Sequence, residues 1–518
     1  MKIIGALSIS ALLLFGCKND PEMPLVPTAP MAISGNFATD SFDGDDRAAQ
    51  IRSLAPRLHE LFETYAREKN IPGIAYGIVV DGQLVVDSAL GVIDREAGIA
   101  ATTTSAFRIA SMTKSFTAMG IMKLVEDGKL SLHDPAADHI PEMAGIPYPT
   151  SDSPPITVEH LLTMTAGFPE DNPWGDRQLD ESVEMLKTLM REGPSFSNPP
   201  AHTFEYSNTG YALLGLIISN VSGRPYQEYI TREILQPLGM QETYWEFEEV
   251  PEGRLALGYA PDSLTRAPIL HDGSFGAMGG LITTIEDFSR YVSFHLSAWP
   301  PRSDPESGPV KRSTLRKMHQ PQYAGLAANA KDWNNEPCPV VGGYGYGLGI
   351  SENCHGTRRV SHGGALPGFG SNYVFYPDLG IGLMAFCNVT YTSPWPYREI
   401  EKLLFGELDL QPRQTGVSEI LETRQAQAVE WILEGDASLA NEIMAENFFP
   451  DEDRERRMER IRPLLEAAGP ILGTGRMEPR NQLRGGFDLY GARDTLRVFI
   501  TLSPEPDPKI QYLEVSNE

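Results

Sequence analysis

A serine and a lysine at the start of one apolar segment are the first residues that could do chemistry. Ser111 and Lys114 lie in FRIASMTKSFTAMGIMKLVEDGKL, which predicts one amphipathic helix over 107–130. Positions i and i+3 share a helix face, and the helix start adds free N–H groups and partial positive charge. A serine hydroxyl becomes a nucleophile when a base such as a desolvated lysine takes its proton. The pair predicts nucleophilic catalysis, although Ser-x-x-Lys arises by chance about once in such a chain.

A second candidate group lies in the segment AHTFEYSNTGYALLGLI. Tyr206 and Asn208 precede a long apolar helix that we predict to begin near Thr209. The phenolate could act as the base if nearby Lys114 lowered its pKa, and the amide could orient Lys114 and a substrate carbonyl. The alternative is an ordinary helix cap, in which Ser207 or Asn208 accepts the first free N–H groups.

A third candidate group lies in RRVSHGGALPGFGSNYVFYP, which is strand-like. His362, Gly363 and Gly364 place two glycines in a strand, where glycine is otherwise costly. Small residues allow a substrate to lie along the strand, with the N–H of Ala365 facing its carbonyl oxygen. The alternative is a glycine bulge beside a surface histidine.

The surrounding pattern predicts the elements that must hold these groups. Apolar residues at Leu54, Leu58 and Phe62 predict a helix with Pro56 in its first turn or at a kink. The Asp81-Gly82 pair between β-branched runs predicts a hairpin. The region 155–235 is mainly helical. Strand-like runs return over 340–390, namely YGYGLGIS, TRRVSHGG, GSNYVFYP and GIGLMAFCNV. We therefore expect an α+β fold with one antiparallel sheet built from distant parts of the chain.

The chain is too long for one ordinary domain, with 518 residues. We predict a signal peptide over 1–17, a flexible tether over 18–47, a catalytic domain over 48–408 and a small C-terminal α+β domain over 409–518. The C-terminal part combines charged helical sequence with the strand-like runs FDLYGARDTLRVFITLS and KIQYLEVSNE. No catalytic group stands out in it.

The first residues predict export rather than fold. MKIIGALSISALLLFGC has a basic start, a short apolar run and a cysteine, Cys17. This ending resembles the lipobox of bacterial lipoproteins, which implies lipidation at Cys17 and a membrane-anchored protein of the bacterial cell envelope. An ordinary secretory signal is the alternative. No other segment of the sequence is long and apolar enough to span a membrane.

The remaining three cysteines fit an exported protein. Cys338 and Cys354 flank a glycine-rich run and could close a hairpin as a disulfide, which leaves Cys387 buried in a strand. No cysteine and histidine spacing suggests zinc, and HELFE at 59–63 lacks the second histidine of a metalloprotease helix. We therefore predict no metal and no cofactor.

The charge excludes one class of partner. A formal net charge of −26 would repel a phosphate backbone, so we expect no nucleic-acid partner. The expected partners are a small-molecule or peptide substrate and, through Cys17, a membrane.

Together the three candidate groups resemble the class C β-lactamase-like serine hydrolases. Ser111-Met112-Thr113-Lys114, Tyr206-Ser207-Asn208 and His362-Gly363-Gly364 occur in the order and rough spacing of that family. Segments such as ITVEHLLTMTAGFP and GAMGGLITTIEDFSRY are also similar, over about residues 50 to 405. The family includes β-lactamases, D-Ala-D-Ala carboxypeptidases, D-aminopeptidases and esterases. The resemblance implies a β-lactamase/transpeptidase-like fold, with an antiparallel sheet flanked by helices and an all-helical subdomain.

The resemblance also implies a role for each residue. Ser111 is the acylated nucleophile, Lys114 and Tyr206 share the proton transfer, and Asn208 contacts the lysine and the substrate amide. The backbone N–H groups of Ser111 and Ala365 form the oxyanion hole. His362, with Gly363 and Gly364, lies in the substrate-binding strand, where β-lactamases and penicillin-binding proteins have lysine. A neutral histidine binds a carboxylate less well, which counts against efficient β-lactam hydrolysis.

Three functions remain open on this sequence. The first is a serine hydrolase that cleaves an amide or ester of a small peptide or ester substrate, including D-amino-acid peptides of the cell envelope. The second is a true β-lactamase or penicillin-binding carboxypeptidase. The third, of another class, is a non-catalytic binding or sensor protein on the same fold, or an envelope-binding C-terminal domain with the hydrolase as scaffold. An α/β-hydrolase is disfavoured because no serine lies in a G-x-S-x-G elbow.

Overall fold

The computed structural model describes residues 46–302, 304–408, 410–413 and 416–517. The predicted signal peptide, Cys17 and almost all of the predicted tether lie outside these residues. Among the helices that are described, none has the length and apolar character needed to cross a bilayer.

Two sheets contain most of the strands of the described chain. The strands are β1 (Gly73–Val80), β2 (Gln83–Asp94), β3 (Ile99–Ala100), β4 (Phe107–Arg108), β5 (Ile282–Thr283), β6 (Tyr323–Ala327), β7 (Val340–Tyr344), β8 (Gly349–Glu352), β9 (Arg358–Leu366), β10 (Phe369–Tyr376), β11 (Ile381–Cys387), β12 (Ile471–Thr474), β13 (Glu478–Asn481), β14 (Arg484–Gly491), β15 (Thr495–Leu502) and β16 (Ile510–Asn517).

Helices cover both faces of the larger sheet and one face of the smaller sheet. The helices are α1 (Arg47–Ser53), α2 (Ala55–Glu68), α3 (Thr113–Glu126), α4 (Ala136–His139), α5 (Val158–Leu162), α6 (Val183–Glu192), α7 (Asn208–Ser222), α8 (Tyr226–Ile230), α9 (Gly276–Gly279), α10 (Ile285–Leu296), α11 (Arg312–Met318), α12 (Tyr397–Gly406), α13 (Glu419–Glu434), α14 (Ala437–Ile443), α15 (Phe448–Asp451) and α16 (Arg454–Ala468).

The larger sheet confirms the prediction of one antiparallel sheet built from distant parts of the chain. Its nine strands run in the order β3-β2-β1-β11-β10-β9-β8-β7-β6. Strand β1 joins the two halves of the chain, because Ile74 pairs with Cys387 and Val80 with Ile381. The predicted hairpin is also present, since Asp81 and Gly82 connect β1 to β2 with φ angles of 52° and 79°.

Strand β1 is buried along its whole length because cores lie on both sides of it. Ala75 and Val79 face the core that contains α3 and α7, whereas Ile74 and Ile78 face a second core with α1, α2 and α12. This alternation follows from the two-residue period of a strand. The helix predicted around Leu58 is divided into α1 and α2, and Pro56 lies in the first turn of α2.

The predicted helix over 107–130 is shorter than expected. Residues Phe107–Arg108 form β4 and pair with β5, and Ala110–Met112 form a 3-10 turn before α3 begins at Thr113. Ala110 has a φ of +50°, which interrupts a right-handed helix. Helix α3 is also buried almost all round rather than amphipathic, because it lies at the centre of the helical layer.

The prediction of a strand over YGYGLGIS is wrong in part. Tyr344 ends β7, Gly349 begins β8, and the intervening residues form the turn between these strands. In this turn Gly345 donates its N–H to the carbonyl of Leu348 at 2.8 Å. The other three predicted strand runs correspond to β9, β10 and β11.

The C-terminal residues have a core of their own. Trp431, Phe448, Phe487 and Val498 belong to a hydrophobic cluster made only of residues from the C-terminal part of the chain. Helices α13 to α16 precede the five-stranded sheet, in which β14, β15 and β16 are neighbours. Strand β15 alternates buried and partly exposed residues, so one sheet face packs on the helices.

The cysteines pair as the sequence predicted. Cys338 and Cys354 form a disulfide between the start of β7 and the turn after β8. Cys387 is the free, buried cysteine of β11.

Candidate active site

The turn that carries Ser111 is held against strand β9. The Ser371 hydroxyl donates a 2.7 Å hydrogen bond to the carbonyl of Ile109. A Cβ built on Gly364 would lie 2.2 Å from that same carbonyl oxygen, so only glycine permits this approach. With Ala110 in a left-handed conformation, the turn places Ser111 at the mouth of α3 beside the strand.

Lys114 lies directly behind Ser111. Its Nζ is 2.9 Å from the Ser111 Oγ, 2.7 Å from the Asn208 Oδ1 and 3.0 Å from the carbonyl oxygen of Met278. The side chain is completely buried. Burial lowers the pKa of Lys114 to about 7, although the negative charges of Asp176 and Asp171 act in the opposite direction. Near neutral pH a large fraction of Lys114 is therefore an uncharged amine that can accept a proton from Ser111.

Tyr206 completes this group, but not as the phenolate. The Lys114 Nζ lies 4.9 Å from the centre of the Tyr206 ring, over its face. Burial raises the pKa of Tyr206 well above its ordinary value, even though the Ser111 hydroxyl acts to lower it. This rise runs against the hypothesis that Lys114 makes Tyr206 a phenolate, because burial disfavours the charged form. Tyr206 is a neutral phenol that can give a proton.

Asn208 is free to contact Lys114 because other groups cap its helix. The Ser207 hydroxyl accepts the N–H of Gly210 at 3.3 Å, which confirms the predicted cap at the start of α7. The Asp171 carboxylate accepts the N–H groups of Asn208 and Thr209 at 2.7 and 2.8 Å. The capping interpretation is therefore confirmed at Ser207, while Asn208 makes the predicted contact with Lys114.

His362 is a buried residue of strand β9 and not the surface histidine of the alternative interpretation. Its Nε2 lies 3.1 Å from the Tyr344 hydroxyl, and its Nδ1 lies 2.5 Å from the carbonyl oxygen of Gly363. Burial and, less strongly, the charge of Lys114 lower the pKa of His362 to about 4, against the effect of the Gly363 carbonyl. His362 is neutral at physiological pH and offers a substrate no positive charge.

A cavity of about 690 Å³ opens over these residues. It brings Ser111 and Tyr206 together with the predicted strand residues. The lining residues are Ser111, Asn172, Pro173, Asp176, Tyr206, His362, Gly363, Gly364, Ala365, Asn372, Tyr391, Thr392 and Ser393. Lys114 and Asn208 lie behind this surface. The predicted site is thus assembled in one place.

Two loops contribute cavity residues that the sequence patterns do not single out. Asn172 accepts a 2.6 Å hydrogen bond from the Asn208 side chain, and Tyr391 donates one of 3.2 Å to Asp176. The acidic, polar run EDNPWGD after an apolar helix was the available signal, but nothing in its spacing points to Ser111. The carbonyl of Met278 had no sequence signal at all.

Two groups of potential metal ligands occur among the described residues, and neither includes a residue of this cavity. One contains the disulfide cysteines and His355, and the other contains Glu246, Glu248 and His271 on the surface.

The sheet topology and the buried lysine behind a serine define the β-lactamase/transpeptidase-like class of serine hydrolase folds. Residues 58–406 match the Beta-lactamase family model, and the chain belongs to that family, whose members are serine hydrolases. The resemblance inferred from the motifs is thereby confirmed.

Curated relatives agree with this assignment. Protein flp of Staphylococcus aureus strain MW2 is 27% identical over 340 residues, which cover 64% of this chain and 63% of that protein. Penicillin-binding protein 4 of Amycolatopsis lactamdurans is 27% identical over 358 residues, covering 67% of this chain and 89% of that protein. The match to Protein flp thus spans less than two thirds of the relative's length.

Solved structures show the same fold. An octameric penicillin-binding protein homologue from Pyrococcus abyssi has a TM-score of 0.55 at 24% identity, covering 88% of this chain and 92% of its own. A class C β-lactamase has a TM-score of 0.54 at 18% identity, covering 69% and 97%. These two likenesses concern the fold alone.

Proposed function

We propose that this protein cleaves an amide or ester bond of a small peptide or ester substrate through an acyl-enzyme on Ser111. One observation carries the proposal. A buried lysine with a pKa near 7 lies 2.9 Å from a serine hydroxyl that lines a cavity of about 690 Å³. A nucleophile next to a base that is partly unprotonated at working pH is what acyl transfer requires.

Acylation begins when the uncharged Lys114 accepts the proton of Ser111. The Ser111 Oγ then forms a bond to the substrate carbonyl carbon, and the carbonyl oxygen becomes an oxyanion. The backbone N–H groups of Ser111 and Ala365 are the proposed donors to that oxygen, and losing one such donor typically costs about 3 kcal/mol of barrier. The closeness of Gly364 to Ile109 brings strand β9 alongside the turn that carries Ser111.

The tetrahedral intermediate collapses when the bond to the leaving group breaks. The leaving group takes a proton, which comes from Lys114 directly or through the neutral Tyr206 phenol. A water molecule then attacks the ester carbonyl and gives its proton to Lys114. The bond from the carbonyl carbon to the Ser111 Oγ breaks, Oγ takes that proton back from Lys114, and the acid is released. Asn208 keeps Lys114 in place through both halves of the cycle, because it accepts a 2.7 Å hydrogen bond from it.

The neutral His362 bears on the choice of substrate. A true β-lactamase or a penicillin-binding carboxypeptidase has to hold a substrate carboxylate, for which a neutral imidazole is poorly suited. This favours esters and peptides without a carboxylate near the scissile bond, with D-amino-acid peptides of the cell envelope among them. Efficient β-lactam hydrolysis is the second candidate, and the family membership is what favours it.

The test uses the protein without residues 1–17 and follows protein mass and drug during incubation with benzylpenicillin, and p-nitrophenol release from p-nitrophenyl acetate. We expect p-nitrophenol release by the wild type and none above background by Ser111→Ala, with the two proteins unfolding at the same temperature. A benzylpenicillin adduct on Ser111 would direct the search for substrates to D-Ala-D-Ala peptides. Full activity of Ser111→Ala would contradict the mechanism.

A non-catalytic binding or sensor role is the alternative of another class. The contacts among Ser111, Lys114 and Asn208 argue against it, because a site without turnover has no need of a lysine in this state. The described residues of the C-terminal part offer no comparable group. We expect a chain that ends near residue 410 to keep its turnover if those residues are accessory, and loss of turnover would give them a larger role.

We also propose that the protein is an exported lipoprotein of the bacterial cell envelope, attached through Cys17. The lipobox-like ending of the first 17 residues supports this. Several acyl chains on one cysteine would give a stable anchor, because each buried methylene contributes about 0.8 kcal/mol. Membrane fractionation of wild type and Cys17→Ala would test the proposal, which predicts release of the variant.

A further inference from the structure

Asp176 lies in the wall of the catalytic cavity, and the mechanism described above does not use it. The residue is only 3% exposed. Its Oδ2 accepts a 3.2 Å hydrogen bond from the Tyr391 hydroxyl, while its Oδ1 has no hydrogen-bond partner among the described residues. A buried carboxylate oxygen without a donor is costly, so such an atom at a binding cavity is a candidate contact for a ligand.

The charged groups that line the cavity are acidic only. None of its lining residues is a lysine or an arginine, and its single histidine, His362, is neutral. Lys114 lies behind the wall, where its Nζ is within hydrogen-bond distance of Ser111, Asn208 and the carbonyl oxygen of Met278, and its charge reaches Asp176 only through space. Asp176 is therefore the one acidic side chain facing a cavity whose described lining has no cation to pair with it. Such a wall disfavours an anionic substrate and favours a cationic one.

The position of Asp176 indicates which part of the substrate it meets. The loop that carries it packs on Asn208, since a Cβ built on Gly175 would lie 2.8 Å from the Asn208 Cβ. Asn172, from the same loop, accepts a hydrogen bond from the Asn208 side chain at 2.6 Å. The family resemblance gives the residue at the position of Asn208 a contact with the substrate amide, and we take that amide to belong to the acyl part of the substrate. The carboxylate is therefore on the acyl side of Ser111.

We infer that Asp176 is the binding site for a protonated amine on the acyl part of the substrate. The inference rests on the proposed function and specifies its substrate class as aminoacyl esters and amides with a free amine. The ammonium would donate a hydrogen bond to Oδ1 and pair its charge with the carboxylate. An N-acylated substrate brings no charge and leaves Oδ1 without a strong donor. Burial also raises the pKa of Asp176, the charge of Lys114 and the Tyr391 hydroxyl act against that rise, and a bound cation would add to their effect.

The experiment compares p-nitrophenyl esters that differ in one ammonium group. One pair is the p-nitrophenyl esters of β-alanine and propionate, and the other is those of 6-aminohexanoate and hexanoate. The amine is close to the ester carbonyl in the first pair and far from it in the second. We would measure kcat/KM at one pH for wild type, Asp176→Asn and the control Asp180→Asn. Asp180 lies four residues further on, is exposed and does not line the cavity, so the control makes the same charge change outside the site. Intrinsic ester reactivity cancels when the cationic-to-neutral ratio is compared between proteins.

We expect Asp176→Asn to lower the cationic-to-neutral ratio of at least one pair by about ten-fold or more, and Asp180→Asn to leave both ratios unchanged. Turnover of the neutral esters reports folding and the competence of Ser111. If Asp176 had a purely structural role, or acted through Lys114, the substitution would lower kcat/KM equally for both esters of a pair. The cationic-to-neutral ratio would then stay unchanged. Unchanged ratios in Asp176→Asn would overturn the inference while leaving the proposed function intact.

Two further results are informative. If wild type turns over none of the four esters, the proposed function fails, and the inference that rests on it fails too. If Asp176→Asn loses turnover of every ester, the inference is tested on the wild type alone. We would then compare its kcat/KM for the β-alanine ester with that for the N-acetyl form of the same ester. After division by the hydroxide rate of each ester, a preference of about ten-fold for the free amine supports the inference, and no preference overturns it.

Discussion

The Asp171 carboxylate accepts the backbone N–H of Asn208 at 2.7 Å and that of Thr209 at 2.8 Å. A loop residue thus holds the first turn of helix α7, the helix that carries the amide partner of Lys114. The same carboxylate accepts the Thr209 hydroxyl at 2.8 Å. Charge-assisted bonds to a helix start are among the stronger local interactions, so this contact fixes the site as well as the helix.

Replacement of Asp171 by alanine should destabilise the protein. The substitution leaves two backbone N–H groups without their acceptor in a buried place, for which we expect a loss of about 2 to 3 kcal/mol in the free energy of unfolding. Urea unfolding followed by circular dichroism would measure it. Asp180→Asn, at an exposed position of the same region, should unfold like wild type. Equal stability of both variants would contradict the role of Asp171.

The pH dependence of turnover should report Lys114. Its pKa of about 7 lies below the ordinary value because of burial, and the active form is the unprotonated one. We therefore expect kcat/KM for a neutral ester to rise about ten-fold per pH unit below pH 7 and to level off above it. Lys114→Arg, which stays protonated, should be inactive across the range.

His362 provides the control for that profile. Because its pKa is lowered to about 4, it stays neutral while Lys114 titrates. His362→Gln should change the rate without moving the inflection near pH 7. An inflection that disappears in this variant would assign the titration to His362 instead.

Removal of the Tyr206 hydroxyl should slow turnover without changing the titration. Burial keeps Tyr206 protonated, so Tyr206→Phe takes away a proton donor and not the base. A loss of about 100-fold in kcat/KM is expected, with the inflection near pH 7 retained, as general acid catalysis commonly contributes this much. The pH profile of the variant decides the matter, since loss of the inflection would restore the phenolate hypothesis.

An added methyl group at Gly364 should disrupt the site. A Cβ there would lie 2.2 Å from the carbonyl oxygen of Ile109 and 2.3 Å from the Ser371 Oγ, so strand β9 would move away from the Ser111 turn. We expect Gly364→Ala to lose most activity and about 2 kcal/mol of stability. Gly325→Ala, in edge strand β6 with nothing within 4 Å of the new Cβ, should behave like wild type in both assays.

Much of the fold could be predicted because it depends on local chemistry. The Asp81-Gly82 turn needs two residues that accept positive φ, and the strands beside it are rich in β-branched residues. The hairpin is therefore predictable from a few adjacent positions. The start of α7 is equally local, with a serine cap directly before the apolar run. The helix over 107–130 is shorter in the structure because Phe107–Arg108 pair with β5 as a strand. This contact joins residues distant in sequence, so the local pattern does not indicate it.

Residue types and spacings along the chain were enough to identify the residues that carry the proposed chemistry. Ser111, Lys114, Tyr206, Asn208 and the His362 strand all have recognisable types and spacings, and the structure brings them to one place. Spacing could not determine the protonation of these groups, because a pKa depends on burial and on charges that arrive from elsewhere in the chain.

The protonation states and the charge of the cavity depend on contacts that form only when the chain folds. Burial makes Lys114 partly unprotonated and keeps Tyr206 and His362 neutral. Asp176 belongs to no recognisable motif, and it lines the cavity because a loop distant in sequence from Ser111 folds against the site. A nucleophile can be identified from its residue type and its neighbours in sequence. The electrostatic potential at the substrate depends on all the charged groups that folding brings close to the cavity.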